Sequence, residues 1–575
     1  MRSYPEKKWG YLPTPTAAAR SALGQALGTS QPITTLLLQR GIRNFEEAKH
    51  FFRPQLAALH APEKMKGMAL AIKRIEQAWH EDEKVCVYGD YDVDGVTSVT
   101  MMVLALRNMG FSDVIYYLPD RYKEGYGLST IGIEHLIASG VQLLVTVDCG
   151  IRDCQPIAQA QGAGIDVIVC DHHEPAAQLP PAYAILNPKQ RDCPYPFKGL
   201  SGCGVAFKLL QGLVVAGLLK EETAMGFLDL VALSIAADIV PMVGENRILA
   251  TYGLQTLNQN PQRGLQALKS AVQAPTKLTI ADVVFKLAPC LNAPGRLSHA
   301  RKGVQLLLAK TDTIATHWAQ QLVAENSARR VRDTEMREEA LAMIATQDSP
   351  ETKRPCYLLF NPDWDKGLVG ITAARCVEQY HRPTIVLTQQ GDFAVGSARS
   401  IPGCNIFEAL QQCEKLLLHY GGHAHAAGMT LPLAHVDTLR TQLEKIVDAM
   451  LPPEKRQPQQ RIDTTLHLHQ ITTNLYKALQ RMRPFGPGHM EPVFCTGPVI
   501  ATSHRLYQEQ HLSLSIQEVG RPTTWRAIGF NMAHLMPHVL NQQPFEIAYK
   551  LQTDCYRGET YYNLMLKDIR PYPTK

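Results

Sequence analysis

Three carboxylates fall at alternate positions in Val85-Cys86-Val87-Tyr88-Gly89-Asp90-Tyr91-Asp92-Val93-Asp94-Gly95. Asp90, Asp92 and Asp94 follow an apolar run that reads as a buried strand, and a run that reads as helix comes next (Val96, Val99, Met102, Val103, Leu106). Three acids packed so closely repel one another, and burying them unpaired is prohibitive. A hard divalent cation with oxygen ligands relieves both problems. Two further apolar runs end in the same chemistry: Val145-Thr146-Val147 leads to Asp148, and Val167-Ile168-Val169-Cys170 leads to Asp171-His172-His173. A lone Asp at a strand end is as well explained as a helix cap. Three strand ends carrying Asp or His together favour a site. Carboxylates with imidazole suit Mn²⁺ or Mg²⁺, and less specifically Fe²⁺ or Zn²⁺, while the absence of thiolates at these positions argues against structural zinc. A fourth apolar stretch, Val231 to Ala237, reaches Asp238, which serves either as a further ligand or as a cap on the turn before Pro241.

What must position these groups is a parallel sheet. Between about 84 and 188, predicted strands (Lys84–Gly89, Val114–Leu118, Gln142–Val147, Asp166–Cys170) alternate with helices such as Thr130–Ala138, the rhythm of a doubly wound α/β domain. Strand C-termini in such a sheet share one edge, so the acids and histidines converge there. Residues 1–80 read as a mostly helical segment, with Asn44 and Glu47 spaced as a helix-capping pair. The domain expected at 81–310 adds a helical extension to the sheet. A long polar helix follows over 311–350, then a second, smaller α/β domain over 351–450 with Gly396-Ser397-Ala398-Arg399-Ser400 and Gly421-Gly422-His423-Ala424-His425. In that unit Ser397, Arg399 and His423 have the chemistry to hold a phosphate. Two stretches read as loops: Pro119 to Gly127, which carries Arg121 and Tyr126 and mixes the residues that phosphates and bases need, and Leu291 to Arg296, which offers an arginine. Residues 451–460 read as a Pro-rich linker. Short strands at Pro498–Thr502, Leu512–Ile516, Trp525–Gly529, Phe545–Leu551 and Tyr561–Leu566 suggest a β-barrel of OB type over 461–575. Its Tyr507, His511, Trp525, Arg526, Tyr549, Tyr556 and Arg557 suit stacking on single-stranded nucleic acid.

The whole chain has 575 residues, 45% of them hydrophobic and 19% charged, the composition of a soluble globular protein of several domains. No apolar run is long enough to span a membrane, and no signal-peptide core opens the sequence, so a cytoplasmic protein without a membrane partner is expected. Thirteen scattered cysteines without a C-x-x-C pair read as reduced core residues. The net charge of +5 allows a polyanionic partner but is weak evidence for one. No dinucleotide fingerprint or Walker pattern occurs, so nucleoside triphosphate use is not indicated.

GDYDVDG, TVDCG, DHH and the apolar run to Asp238 resemble the DHH phosphoesterase superfamily, and GSARS with GGHAHAAG resembles the accessory domain, DHHA1, that follows it. With PDRYKEGYGLS, LNAPGR, DWDKGLVGI and PFGPGHMEPVF, the resemblance over about residues 60–570 is to the RecJ family. It implies 5′→3′ hydrolysis of single-stranded DNA with two Mn²⁺ or Mg²⁺ ions, in DNA repair and recombination, with a single-strand-binding protein and a helicase as partners. The implied ligands are Asp90, Asp92, Asp94, Asp148, His172, His173 and Asp238, with Asp171 less directly involved. The implied 5′-phosphate pocket is Arg121, Tyr126, Arg296, Ser397 and Arg399. Asp365 stands where many relatives have His, Cys149 where some have Asn, and His489 where Asn is frequent; Asp365 would weaken contact with DNA phosphate. Two competing functions are a phosphoesterase for dinucleotides or other small substrates, and an inactive DNA-binding scaffold. The long helix and appended barrel argue against the first, and the intact ligand set against the second.

Overall fold

The computed structural model describes residues 5–348, 353–540, 543–556 and 559–573. The chain forms two compact units, one of residues 52–329 with 483–490, the other of 1–51, 330–482 and 491–575.

Strand β1 (Lys8–Tyr11) belongs to the second of these units; the first is built on β2 (Val85–Tyr88), β3 (Val114–Tyr117), β4 (Leu143–Val147), β5 (Asp166–Cys170) and β6 (Ala184–Leu186). All five are parallel, in the order β3-β2-β4-β5-β6. Every residue of β2 and β4 is buried, as parallel strands with helices on both faces require. The order reverses between β2 and β4, and Tyr88 lies level with Thr146 across that pair. Open α/β sheets bind ligands beyond the strand C-termini at such a reversal. Helix α1 (Val93–Met109) starts there and is apolar nearly all round, because it runs through the main core with α2 (Gly202–Val215) and α3 (Leu228–Ala237). Leu291 to Arg296, expected as a loop, is helical: turns span Ala288–Asn292 and Pro294–Leu297. Proline is compatible with a first helical turn, so Pro294 starts one rather than breaking one.

Helix α4 (Asp312–Gln347) begins in one unit and ends in the other. The second unit holds a five-stranded sheet ordered β10-β11-β9-β8-β7, from β7 (Tyr357–Phe360), β8 (Thr384–Gln390), β9 (Phe393–Arg399), β10 (His419–His423) and β11 (Ala426–Pro432). Only β7 and β8 pair in parallel; the rest are antiparallel. Helix α5 (Val369–Tyr380) packs on β8 and β9. The expected linker is structured: after a turn at Pro453–Arg456, β12 (Gln459–Ile462) pairs in parallel with β1. Beyond β13 (Thr464–Thr465), the strands β14 (Phe494–Tyr507), β15 (His511–Glu518), β16 (Thr524–Gly529), β17 (Phe545–Tyr556) and β18 (Glu559–Pro571) close into a barrel, because β14 pairs with both β15 and β17. β14 is longer than the sequence suggests. It continues through Gly497-Pro498 with its register shifting between Thr496 and Val499, as proline in an antiparallel strand demands.

Candidate metal centre and phosphate sites

Beyond Tyr88 the strand alternation stops, so Asp90, Asp92 and Asp94 do not face one side as a strand would present them. Asp92 caps α1, its Oδ1 accepting from the backbone N–H groups of Asp94 (2.8 Å) and Gly95 (3.1 Å). Asn292 Oδ1 accepts from Val93 N–H at 3.1 Å. The cap is tight: a Cβ on Gly95 would lie 2.4 Å from the Asp90 carbonyl oxygen, so only glycine lets Asp90 sit beside the helix start. Asp94, in the first turn, points to the start of α2. Its carboxylate accepts from Gly202 N–H and Cys203 N–H, both at 2.7 Å, and from the Ser234 hydroxyl at 2.7 Å. A helix N-terminus and a hydroxyl therefore fix one anionic group in the core.

Asp148 follows β4 with φ 62°, a left-handed conformation uncommon outside glycine. A Cβ on Gly202 would approach its Oδ1 to 2.4 Å, so α2 closes down on this carboxylate only because residue 202 has no side chain. Asp238 is the residue that ends α3, and Ile239 after it has φ 58°, strained for a β-branched residue. His172 Nε2 lies 3.2 Å from Asp148 Oδ1, 3.7 Å from Asp238 Oδ2 and 3.9 Å from Asp94 Oδ2. Asp171 has a different task. Its Oδ1 accepts from His172 N–H, His173 N–H and His173 Nδ1 (2.8 Å), and its Oδ2 from Ile151 N–H. It therefore orients His173 rather than facing the cluster, and these bonds hold its pKa down at about 2 although burial opposes them.

Ligand atoms gather into three overlapping groups: Asp90, Asp92 and Asp148; Asp148, His172 and His173; Asp94, His172 and Asp238. Asp90 Oδ1, Asp148 Oδ1 and His172 Nε2 are buried without a hydrogen-bond partner. The 3.2 Å approach of Asp148 to His172 lacks hydrogen-bond geometry, yet it is the separation of two atoms bound about 2.1–2.2 Å from one ion, close to a right angle apart. Burial, then mutual repulsion, pushes the Asp90, Asp92 and Asp148 carboxyls up, and takes Asp238 to about 8. Burial lowers His172. His173 rises, because the bond to Asp171 and its charge outweigh burial. Such a set of buried, unpaired donors fits two divalent cations. Cys149 is buried, its thiol pushed up by that burial, and offers no thiolate.

The loop carrying Arg121 and Tyr126 is fastened in place. Glu124 accepts from Asp120 N–H, Tyr117 Oη and the Ser129 hydroxyl, and Asp153 accepts from Leu128 N–H. The Arg121 guanidinium lies 4.4 Å from the ring centroid of Tyr91. Tyr122 Oη donates to the Arg296 carbonyl, joining this loop to the Arg296 turn. Tyr126 Oη donates to the Asp148 carbonyl (3.1 Å) and lies 3.3 Å from His173 Nε2. Arg121, Tyr126 and Arg296 thus belong to the surroundings of the acidic cluster.

In the other unit, Ser397 and Arg399 lie on β9 beside the start of α5. Arg399 Nη1 donates to Ser397 Oγ (2.5 Å), and a Cβ on Gly370 would meet Arg399 Nη2 at 2.9 Å and Ser397 Oγ at 3.2 Å. A glycine in the first turn of a helix, with a guanidinium and a hydroxyl against it, is the construction of an anion site. His423 lies opposite Ala426, which lies opposite Arg399. Burial, then the charges of His425 and Arg399, lower its pKa. Asp365 accepts from Gly367 N–H and pairs with Arg332 at 3.2 Å, so its charge is partly answered by the chain itself.

The sequence singled out none of Tyr91, Asn292, Ser201, Gly202, Ser234 or Gly370. A lone serine in an apolar helix marked Ser234, whose hydroxyl also reaches Ser201 Oγ at 2.6 Å. On the barrel, Tyr549 is fully buried and bonded to Thr496, so it is a core residue and not a stacking surface. Tyr507 is exposed beneath Arg505. Arg557 and the side chain of Tyr556 lie outside the described residues.

Acids beyond the C-termini of a parallel sheet, joined by a histidine pair, define a DHH-type phosphoesterase, and residues 84–235 match the DHH family, N-terminal domain. Residues 353–449 match the DHHA1 domain and 462–568 the RecJ OB domain. The single-stranded-DNA-specific exonuclease RecJ of Bacillus subtilis is 35% identical over 95% of this chain and 69% of its own length. That of Escherichia coli is 34% identical over 93% of this chain and 95% of its own. RecJ from Thermus thermophilus, solved in complex with Mn²⁺, superposes with a TM-score of 0.84 at 27% identity, covering 99% of this chain and 80% of that one. The chain belongs to the RecJ family of single-stranded-DNA-specific exonucleases.

Proposed function

We propose that the protein hydrolyses phosphodiester bonds of single-stranded DNA from the 5′ end. Asp90, Asp92, Asp94, Asp148, His172, His173 and Asp238 would hold two divalent cations, Mn²⁺ or Mg²⁺. The observation that carries this reading is the buried trio of unpaired atoms, Asp90 Oδ1, Asp148 Oδ1 and His172 Nε2, within a cluster of raised carboxyls. Two bound ions supply an activated water and neutralise charge on the attacking and leaving oxygens. The chain's own residues do the rest. Asp148 belongs to two ligand groups and would bridge the ions. Asp171 fixes the His173 ring, and the α2 amides with Ser234 hold the Asp94 carboxylate in place. Tyr126, beside His173, would direct a hydroxyl at the substrate. Arg121 and Arg296 in one unit, and Ser397, Arg399 and His423 in the other, would bind phosphate, the guanidiniums in bidentate fashion.

A terminal 5′-phosphate on a single strand is an anion that donors of this kind recognise, and its recognition would set the polarity. The reaction consumes single strands, so a helicase that opens duplex and a single-strand-binding protein that presents the product are the partners it calls for, in repair and recombination within the cytoplasm. Among the described residues no helix is long and apolar enough to cross a membrane. The test is hydrolysis of a 5′-phosphorylated oligonucleotide in Mn²⁺ by the wild type, Asp92→Ala and His172→Ala. Loss in both variants is expected, and full activity in either overturns the metal assignment. Faster turnover of a dinucleotide than of a long oligonucleotide would replace this function with a small-substrate one.

A further inference from the structure

Far along the chain from the acidic centre, His467, His469 and Glu518 each offer a ligand atom within 4.8 Å of the others. The local fold explains why. After β13 the chain makes a single 3-10 turn, Leu468–Gln470, fixed by the Gln470 side-chain carbonyl accepting from His467 N–H at 3.0 Å. Leu468 is buried in the barrel, so its two neighbours are turned outward. Their rings lie 5.5 Å apart between centroids and 29° from parallel. Glu518 ends β15, and its carboxylate is buried beneath them. Glu518 Oε2 accepts from Leu468 N–H at 3.1 Å, and Oε1 lies 2.5 Å from His467 Nδ1. The carboxylate is therefore held by the backbone of the same turn that carries both imidazoles.

An ion pair between protonated His467 and Glu518 accounts for two of these three groups. It leaves His469 unexplained: that ring makes no hydrogen bond to the described residues, yet it is carried to within ligand distance of the other two. We infer that His467, His469 and Glu518 form a binding site for a single first-row transition-metal ion of the zinc class, distinct from the Mn²⁺ or Mg²⁺ centre. Two imidazoles and one carboxylate are a common zinc donor set, with the exposed side left for water. A nitrogen-rich site ranks Zn²⁺ above Mn²⁺, whereas the carboxylate-rich centre suits Mn²⁺ and Mg²⁺. Imidazole binds a metal only in its neutral form, so affinity falls with falling pH. The ion would clip the turn after β13 to the end of β15. The inference does not rest on the proposed function.

The test equilibrates the full-length, chelator-treated protein with micromolar Zn²⁺ and counts bound zinc by elemental analysis, in the wild type, His469→Ala and Glu518→Gln. The expected result is one zinc fewer per chain in both variants, through an affinity for that ion weakened about tenfold or more. Hydrolysis of single-stranded DNA in Mn²⁺ should be unchanged. His469 is exposed and its replacement leaves folding intact, so His469→Ala decides the matter even where Glu518→Gln, which alters a buried group, lowers Tm. Equal zinc counts in the wild type and His469→Ala overturn the inference.

Discussion

The two α/β sheets use the same elements for opposite electrostatic work. In the all-parallel sheet β2–β6 the strands are uniformly apolar, and the polar residues lie just past their C-termini, where Asp90, Asp148 and His172 remain buried and unpaired. In the mixed sheet β7–β11 the candidate phosphate-binding groups, Ser397, Arg399 and His423, sit within strands, and Arg399 is already bonded to Ser397 and the Ala398 carbonyl. The first arrangement leaves buried donors without partners. In the second, Arg399 is bonded within the chain. The difference lies in position along a strand: past its end the donors are left unpaired, and on its face the guanidinium is bonded within the chain.

Substitutions that separate these roles test the comparison. Asp148→Asn keeps shape and left-handed backbone but removes the charge shared by two ligand groups; it should lower kcat on the order of 10³-fold, corresponding to about 4 kcal/mol of lost transition-state stabilisation. Steady-state kinetics in Mn²⁺ check it, and a change confined to KM would place Asp148 with the phosphate contacts. Asp171→Asn leaves every direct contact to the cluster but frees the His173 ring. Metal affinity should fall about 10–100-fold, read from the Mn²⁺ concentration at half-maximal rate. Arg399→Ala should instead raise KM for a 5′-phosphorylated strand about 10–100-fold at little cost in kcat, the loss expected for a charge-assisted bond, and should matter much less for a 5′-hydroxyl strand. Tyr91→Leu removes the ring beneath Arg121 and should raise KM only about 2–30-fold, in keeping with about 0.5–2 kcal/mol for a cation–π contact.

The acidic cluster also makes metal-free stability depend on pH. The folded pKa of Asp238 is about 8, above the unfolded carboxylate value of about 3.9. The folded protein therefore holds the extra proton between those values, and metal-free stability is present at low pH and lost as pH rises through 8. Tm of chelator-treated protein should fall from pH 6 to pH 8.5, Mn²⁺ should reverse the fall, and Asp238→Asn should lessen it, the other raised carboxyls of the cluster supplying the rest. A metal-free Tm independent of pH over that range would contradict the repulsion described for the cluster.

Much of the fold was legible where packing is local. β5 and the helix Thr130–Ala138 lie where apolar runs and caps place them, and the capping pair Asn44–Glu47 forms in both directions. Elements were hidden where partners are distant or punctuation misleads. β12 looked like a linker because its pairing partner, β1, is at the other end of the chain. Leu291 to Arg296 looked like a loop because proline and glycine usually break helices. Within the site, the sequence could nominate Asp90, Asp92 and Asp94 but not divide their tasks. That division depends on α2 amides and Ser234 meeting Asp94, and on Asp92 capping α1, contacts that no spacing rule encodes. The place of Tyr91 depends on Arg121, thirty residues on, lying over its ring.

The central claim is that this cluster is a two-ion centre bridged by Asp148. A crystal structure of the protein with Mn²⁺ and a 5′-phosphorylated oligonucleotide, with anomalous scattering recorded for manganese, tests it most directly. Two anomalous peaks roughly 3.5–4 Å apart are expected, with Asp148 in contact with both. One peak, or two that share no carboxylate, would contradict it.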